Sequence, residues 1–176
     1  WRGCNLRRGG CSGRGCLGCC GAVVAFLGWQ ALIPLFPQDP AASTMGVRLG
    51  QAFAALLPAT AVLALMIVAQ MAGRFLLGVF DPLAGRETRY LLVNQRVIAN
   101  TVEQMAVFVP ALLALAAAVA APQMPAVMAL GAVFALARIV FWAGYLAAPV
   151  LRAPGMAGTL VTATGTLAGA FWFWLT

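Results

Sequence analysis

The chain has 176 residues, of which 63% are hydrophobic and only 9% are charged. A soluble domain is nearer half apolar and a quarter charged, so this chain has too few charges to cover its surface against water. The composition predicts a membrane protein and disfavours a cytosolic enzyme and a secreted disulfide scaffold. The net charge of +7 does not indicate nucleic-acid binding, because the arginines form no solvated basic face.

The first 20 residues are rich in Arg and Gly and contain all five cysteines. We expect residues 1–16 to be a disordered or artefactual segment. The alternative is a metal or redox cluster at Cys16-x-x-Cys19-Cys20. Zinc sites need a second pair of ligands, which the sequence lacks, so no metal site is expected. A cleavable signal peptide is a further alternative, although no small-x-small site clearly closes the following apolar run.

Five apolar stretches follow, separated by Pro, Gly and charged residues. They are Leu17–Phe36, Leu49–Val79, Leu91–Ala120, Ala126–Ala148 and Met156–Leu175. A helix rises 1.5 Å per residue, so about 20 residues cross a hydrocarbon core about 30 Å thick. None of the stretches alternates strictly, as the strands of a membrane barrel would. The sequence therefore predicts an all-α integral membrane protein with five spans.

The arginines predict the orientation of these spans, because cytoplasmic loops are enriched in basic residues. Eight of them fall on one side of the membrane, namely Arg2, Arg7, Arg8, Arg14, Arg86, Arg89, Arg96 and Arg152. Arg48 falls on the other side. We expect the N-terminus in the cytoplasm and the C-terminus on the far side. Arginine without lysine, amid abundant Ala and Gly, suggests a bacterial source and hence an inner membrane.

The last span contains Gly165-x-x-x-Gly169. Small residues at this spacing let a neighbouring helix approach closely in a membrane. We expect this motif to have a structural role in helix packing.

Polar residues inside the third and fourth spans are the strongest functional signal. Arg96, Asn100 and Glu103 share one helical stripe, as do Arg138, Phe141 and Tyr145, and Arg152 follows the fourth span. A charge in the middle of a membrane costs about 2.5–3.5 kcal/mol, so these groups should face the bundle interior.

Glu103 and Arg138 have similar predicted depths, and we expect them to pair within or between subunits. Such a pair and an interhelical Asn100 bond also fit a purely structural role. The arginines, amide and phenol together better suit an anionic ligand with carboxylates, since arginine forks bind carboxylates at two points.

At these residues the sequence resembles the MAPEG family, the membrane-associated proteins in eicosanoid and glutathione metabolism. The similarity rests on Arg96-x-x-x-Asn100-x-x-Glu103, followed by Arg138-x-x-Phe141-x-x-Gly144-Tyr145 and Arg152. It covers roughly residues 50–176. It implies a MAPEG-type four-helix transmembrane domain at 49–176, preceded by an extra transmembrane helix at 17–36.

The resemblance implies a homotrimer in the lipid bilayer, with glutathione as co-substrate between neighbouring subunits. Five residues would contact glutathione, namely Arg96, Asn100, Glu103, Arg138 and Tyr145. Arg152 would stabilise the glutathione thiolate, which attacks a lipophilic small-molecule electrophile or peroxide. Arg74 is a further candidate for binding glutathione. The chain departs from leukotriene-synthase-like members at Gln104 and Phe141, where those members have Tyr.

Two hypotheses about function, one for an enzyme and one for a non-catalytic protein, are therefore favoured. The first is a glutathione-dependent transferase or peroxidase for hydrophobic substrates. The second is a non-catalytic MAPEG-fold protein whose buried Arg, Asn and Glu groups serve assembly or bind another anion. A small transporter is less favoured, because inverted repeats are not apparent.

Overall fold

The computed structural model describes residues 13–79 and 87–176. Within these ranges the chain forms five long helices and no strand. The helices are α1 (Gly13–Leu32), α2 (Met45–Leu77), α3 (Arg89–Ala118), α4 (Met124–Ala147) and α5 (Ala153–Leu175). All five are long and apolar enough to cross a membrane. The chain is therefore a multi-pass integral membrane protein with an all-helical fold.

The predicted spans agree with the observed helices to within four residues at each end. α1 begins at Gly13 and is followed by a short 3-10 turn, Ile33–Leu35. The segment at residues 1–16 that we expected to be disordered therefore overlaps the start of α1. Residues 1–12 and 80–86, including the predicted turn after the second span, lie outside the described residues.

Local sequence explains where the helices begin and end. The side chains of Thr44 and Thr88 accept hydrogen bonds from backbone N–H groups in the first turns of α2 and α3, which caps donors that have no partner within the helix. α2 ends at Gly78, whose φ of 63° lies in the left-handed region that glycine adopts without strain. Pro125 and Pro154 lie in the first turns of α4 and α5, where proline is tolerated.

Helices α2 to α5 form a bundle with an apolar centre. The rings of Phe108 and Phe134 stack there with centroids 4.2 Å apart, and both residues are fully buried. We call the end where α4 passes into α5 the Arg152 end, and the opposite end the Arg48 end. At the Arg48 end the guanidinium of Arg48 donates to the carbonyls of Ala116 and Ala117, each at 3.2 Å. These bonds satisfy carbonyls in the last turn of α3.

The extra helix α1 packs against the outside of this bundle, on α5 and α4. Near the Arg152 end, a Cβ added to Gly21 would overlap the backbone of Pro154, so the two helices touch closely there. Near the Arg48 end, the indole N–H of Trp29 donates to the carbonyl of Ala126 at 2.8 Å. The structure thus confirms a four-helix bundle with one added N-terminal helix.

The expectation of close packing at Gly165-x-x-x-Gly169 does not hold for Gly165. A Cβ added to Gly165 would meet nothing within 4 Å, and one added to Gly169 would make only ordinary contact with Leu115. The close backbone approaches lie elsewhere, at Gly131 and Gly155 among others. Glycine spacing alone does not indicate which helix is the neighbour or how near it lies.

Candidate functional site

A pocket of about 240 Å³ opens at the Arg152 end of the bundle. It is lined by Arg96, Asn100, Phe141, Tyr145, Arg152 and Met156. We call these six residues the polar pocket. They come from three helices and the turn between α4 and α5, and they include two guanidinium groups, an amide and a phenol but no carboxylate. Such a lining favours an anion, because guanidinium groups bind carboxylates and phosphates by charge-assisted hydrogen bonds.

Two glycines bring the start of α5 against α4 and so position Arg152. A Cβ at Gly144 would overlap the carbonyl of Leu151, and a Cβ at Gly155 would overlap the backbone of Phe141. The close turn that results places the Arg152 guanidinium carbon 4.7 Å from the centroid of the Tyr145 ring. Tyr145 is buried and Arg152 is exposed, so the arginine covers the ring at the pocket mouth.

Arg138 is fully buried directly behind the polar pocket. Its Nη1 donates to Asn100 Oδ1 at 2.9 Å and to Thr101 Oγ1 at 3.4 Å, and its Nη2 donates to Thr159 Oγ1. Its guanidinium carbon lies 4.8 Å from the ring centroid of Phe141. Because the carbonyl oxygen of Asn100 accepts from Arg138, the amide NH₂ of Asn100 remains as a donor for the pocket.

Glu103 is exposed in the single chain and does not pair with Arg138. The predicted pairing is therefore wrong within one chain; pairing between subunits stays a prediction. Thr101 faces Arg138 and is fully buried. Glu103 lies two residues later, about 200° further around a helix of 3.6 residues per turn. Glu103 and Arg138 were predicted to pair because they lie at similar depths in the membrane, but depth does not indicate the direction in which a side chain points from its helix.

Arg74 lies near the end of α2 and outside the lining of the polar pocket. Its Nη2 forms a 2.8 Å salt bridge with Glu87 Oε1, just before the start of α3. The pair therefore links the ends of α2 and α3. Of the seven candidate residues, four line the pocket, Arg138 supports it from behind, and Glu103 and Arg74 lie elsewhere in this chain.

A buried hydrogen-bond network near the pocket was missed by the sequence analysis. The side-chain amide of Asn94 donates to Gln70 Oε1 at 2.9 Å and to the carbonyl of Met66 at 3.0 Å. Asn94 Oδ1 in turn accepts from the indole N–H of Trp142 at 2.7 Å. This network joins α2, α3 and α4. The sequence did offer a signal for this network, namely the uncharged amides of Gln70 and Asn94 inside apolar spans. Buried amides of this kind must also find hydrogen-bond partners.

The two cysteines whose side chains the structure describes lie outside the lining of the polar pocket, whereas Cys4, Cys11 and the side chain of Cys16 fall outside the described part. Cys19 and Cys20 are free and exposed on α1. Among the described residues, no three His, Cys, Asp or Glu side chains lie close enough to hold a metal ion.

Comparison with curated proteins and with solved structures gave no significant match. The model of the MAPEG family does match, over residues 50–172. The match spans most of α2 and α5 and the whole of α3 and α4, includes every lining residue of the polar pocket, and leaves α1 outside. By this match, the chain belongs to the MAPEG family.

Proposed function

We propose that this protein is a membrane-bound, glutathione-dependent transferase or peroxidase that acts on lipophilic electrophiles. MAPEG proteins generally use glutathione, and membership suggests a transferase, peroxidase or eicosanoid-type function in the membrane. The observation that carries the proposal is the polar pocket. Arg96 and Asn100 of α3 lie at least 45 residues before Tyr145 and Arg152 in the sequence, yet all four line one cavity without a carboxylate.

Glutathione has two carboxylates and a thiol, and the pocket offers a partner for each kind of group. Arg96 and the free amide NH₂ of Asn100 are suited to a carboxylate. Arg152 is suited to the sulfur, since a nearby guanidinium stabilises a thiolate and lowers the pKa of the bound thiol. The thiolate then attacks the electrophilic carbon of a lipophilic substrate. A carbon–sulfur bond forms, and the electron pair leaves with the departing group or the opened ring.

We propose that the site is completed by a second copy of the chain in a homotrimer. The pocket of about 240 Å³ is smaller than the roughly 300–1,000 Å³ of typical ligand sites. Glu103 lies halfway along α3 and is exposed in the single chain, and a charge facing lipid there would cost about 2.5–3.5 kcal/mol. A neighbouring subunit on this face would remove that cost. It would also bring Glu103, and Arg74 of α2, towards a shared site.

We place the Arg152 end in the cytoplasm. Among the described residues outside α1, Arg74, Arg89, Arg96 and Arg152 lie towards this end, whereas Arg48 lies at the other. The bias follows the positive-inside rule. It directs the polar pocket towards the cytoplasm, where water-soluble thiols enter from the aqueous side and lipophilic substrates from the bilayer.

The competing proposal is a MAPEG-fold protein without catalysis. It is favoured by Phe141, which lines the pocket without the hydroxyl of a tyrosine. It is also favoured by Arg138, whose bonds to neutral groups join three helices of the same chain without any ligand. Under this alternative the polar groups serve assembly or bind another anion.

The deciding experiment measures thiolate formation. Purified oligomer in detergent is mixed with glutathione near neutral pH, and the ultraviolet absorbance of the thiolate is recorded for wild type, Arg152→Ala and Arg89→Ala. We expect a thiolate signal in wild type that Arg152→Ala abolishes while the oligomer remains intact. Arg89→Ala is the matched control, because Arg89 is an exposed arginine at the same end but outside the pocket lining.

If the thiolate signal persists in Arg152→Ala, Arg152 does not stabilise the glutathione thiolate. Absence of a signal in every variant, together with no heat of glutathione binding by calorimetry, would reject the glutathione chemistry. The non-catalytic alternative would then be preferred.

A further inference from the structure

A second and larger cavity, of about 450 Å³, lies between α1 and the bundle. Its walls come from the second half of α1, the end of α3, the start of α4 and residues 161–173 of α5, which begin just before the middle of that helix. All of these segments lie towards the Arg48 end. We call this space the α1 cavity.

The α1 cavity exists because α1 contacts the bundle unevenly. Gly21 allows backbone contact with Pro154 near the Arg152 end. Towards the Arg48 end, the indole of Trp29 stands between α1 and α4 and is fixed by its bond to the Ala126 carbonyl. On α5 the same cavity is lined by Gly165, which has no atom within 4 Å of an added Cβ. Close backbone contact at one end, and a bulky indole in one wall with a glycine in another, leave a space between α1 and the bundle.

Apart from the exposed Gln123, the lining of the α1 cavity offers almost nothing to water. The hydroxyls of Thr162 and Thr166 donate to carbonyls of their own helix, at 2.8 and 2.7 Å. The indole N–H of Trp29 is likewise engaged. A buried water needs several polar partners, and apolar cavities otherwise stay dry. The space is therefore suited to a hydrocarbon occupant.

The α1 cavity is continuous with the lipid-facing surface of the protein. Phe26 and Val161 form parts of its edge and are 54% and 42% exposed. Both belong to membrane-spanning helices, so their exposed sides face the hydrocarbon of the bilayer. An alkyl chain reaches the cavity by moving sideways out of the surrounding lipid.

The α1 cavity is separate from the polar pocket. Met156 is the α5 residue that lines the polar pocket, and Gly165 lines the α1 cavity. They are nine residues apart, which at 3.6 residues per turn is two and a half turns and so a net rotation of about 180°. The two spaces therefore lie on opposite faces of α5, and an occupant of one does not contact the other.

We propose that the α1 cavity binds one acyl chain of a bilayer lipid, taken from the leaflet at the Arg48 end. Its volume lies within the range of about 300–1,000 Å³ that is usual for small-molecule sites. Its lining is almost entirely apolar, its opening faces the hydrocarbon, and its walls extend from near the middle of the membrane to the Arg48 end. The bound acyl chain stabilises the packing of α1 on α5, because it fills the space that the two helices leave between them.

The test uses the full-length oligomer in phosphatidylcholine liposomes that contain a phosphatidylcholine with a photoreactive diazirine on one acyl chain. After illumination, labelled peptides are mapped by mass spectrometry. We expect labelling to concentrate on residues 25–29 and 161–173. Gly165→Leu, which places a side chain in the cavity, should lower this labelling about tenfold or more, equivalent to at least about 1.4 kcal/mol of binding.

Ala168→Leu is the matched control, because Ala168 is an exposed small residue of the same helix outside the cavity lining. It should leave the labelling unchanged. Phe26→Ala provides a second test that does not depend on folding around a new side chain. It removes an exposed wall of the cavity and should also weaken labelling.

Equal labelling in Gly165→Leu and Ala168→Leu would overturn the proposal. So would labelling spread evenly over the exposed faces of α2 and α5, which indicates only the annular lipid that surrounds any membrane protein. Absence of lipid labelling at 161–173 in wild type would also overturn it and would point to another protein surface as the occupant.

Discussion

Arg138 is the only charged side chain among the buried residues that the structure describes. A guanidinium in the middle of a membrane is tolerated only when the protein supplies partners for it. Here the partners are uncharged, and Asn100, Thr101 and Thr159 each accept a hydrogen bond from it. The same contacts fix the amide of Asn100 at the back of the polar pocket. Stability and the shape of the site therefore depend on the same side chain.

Thr159→Val should destabilise the folded protein by about 1–3 kcal/mol, because it removes a buried acceptor from a charged donor and leaves that donor without its partner. Thr164→Val is the matched control. Thr164 is exposed on the same helix and bonds only carbonyls of α5. Thermal unfolding in detergent measures both. Equal midpoints for the two variants would show that Arg138 does not depend on Thr159.

Trp142→Phe should also destabilise the fold by about 1–3 kcal/mol, since Asn94 would lose the donor that bonds its buried carbonyl oxygen. Trp172→Phe serves as the control, because Trp172 is 67% exposed. Chemical unfolding in mixed micelles, followed by circular dichroism, compares the two. If Trp142→Phe unfolds like wild type, the Gln70–Asn94–Trp142 network does not hold α2, α3 and α4 together.

At the scale of helices, the junction of α4 and α5 determines whether the polar pocket forms. Gly155 permits backbone contact with Phe141, and Gly144 permits contact with Leu151. Arg152 lies between these two contacts and covers Tyr145. Arg152 and Tyr145 therefore meet because Gly144 and Gly155 have no Cβ, which allows close backbone contact where α4 passes into α5.

Gly155→Ala should push the start of α5 away from α4 and separate Arg152 from Tyr145. We expect a lower unfolding midpoint and weaker binding of glutathione. Gly50→Ala, in α2 with open space around its Cβ and outside both cavities, should lower neither. Calorimetric titration together with thermal unfolding checks this pair. Normal binding by Gly155→Ala would mean that the junction tolerates a methyl group.

Much of the helical architecture was predictable, because hydropathy and the prolines mark where each span starts and stops. Arg96, Asn100 and Tyr145 were identified as polar groups inside apolar spans. Arg152 was identified by its position just after the fourth span and by the family resemblance. The failures share another cause. Residue number gives the depth of Glu103 but not the direction it faces, and glycine spacing at Gly165 does not tell which helix lies opposite. Those facts depend on three-dimensional packing.

At the scale of the whole molecule, the proposed trimer is best supported by the exposed face of α3. Arg96 and Glu103 both lie on this face, whereas α1 covers part of α4 and α5 on another side. Two exposed charges on one membrane-spanning face are costly for a lone chain in lipid. This arrangement supports α3 as a contact surface of the proposed trimer.

Glu103→Ala should weaken the oligomer about tenfold or more, since 1.4 kcal/mol of lost interaction corresponds to that factor. Leu27→Ala, on the exposed face of α1, should leave assembly unchanged. Native mass spectrometry or light scattering across a dilution series measures the dissociation. An unchanged oligomer in Glu103→Ala would place the subunit contact elsewhere.

The position of α1 also has a consequence for the order of events during synthesis. α1 packs mainly on α5, and 120 residues separate Leu32 from Ala153. At about 5–20 residues per second, the ribosome needs roughly 6–24 s to make that interval. During this time α1 is in the membrane without α5, although α4, its other contact, is completed earlier. Of the five described helices, α1 is made before the others but meets its main neighbour last, so its packing on α5 is completed only after α2, α3 and α4 have been made.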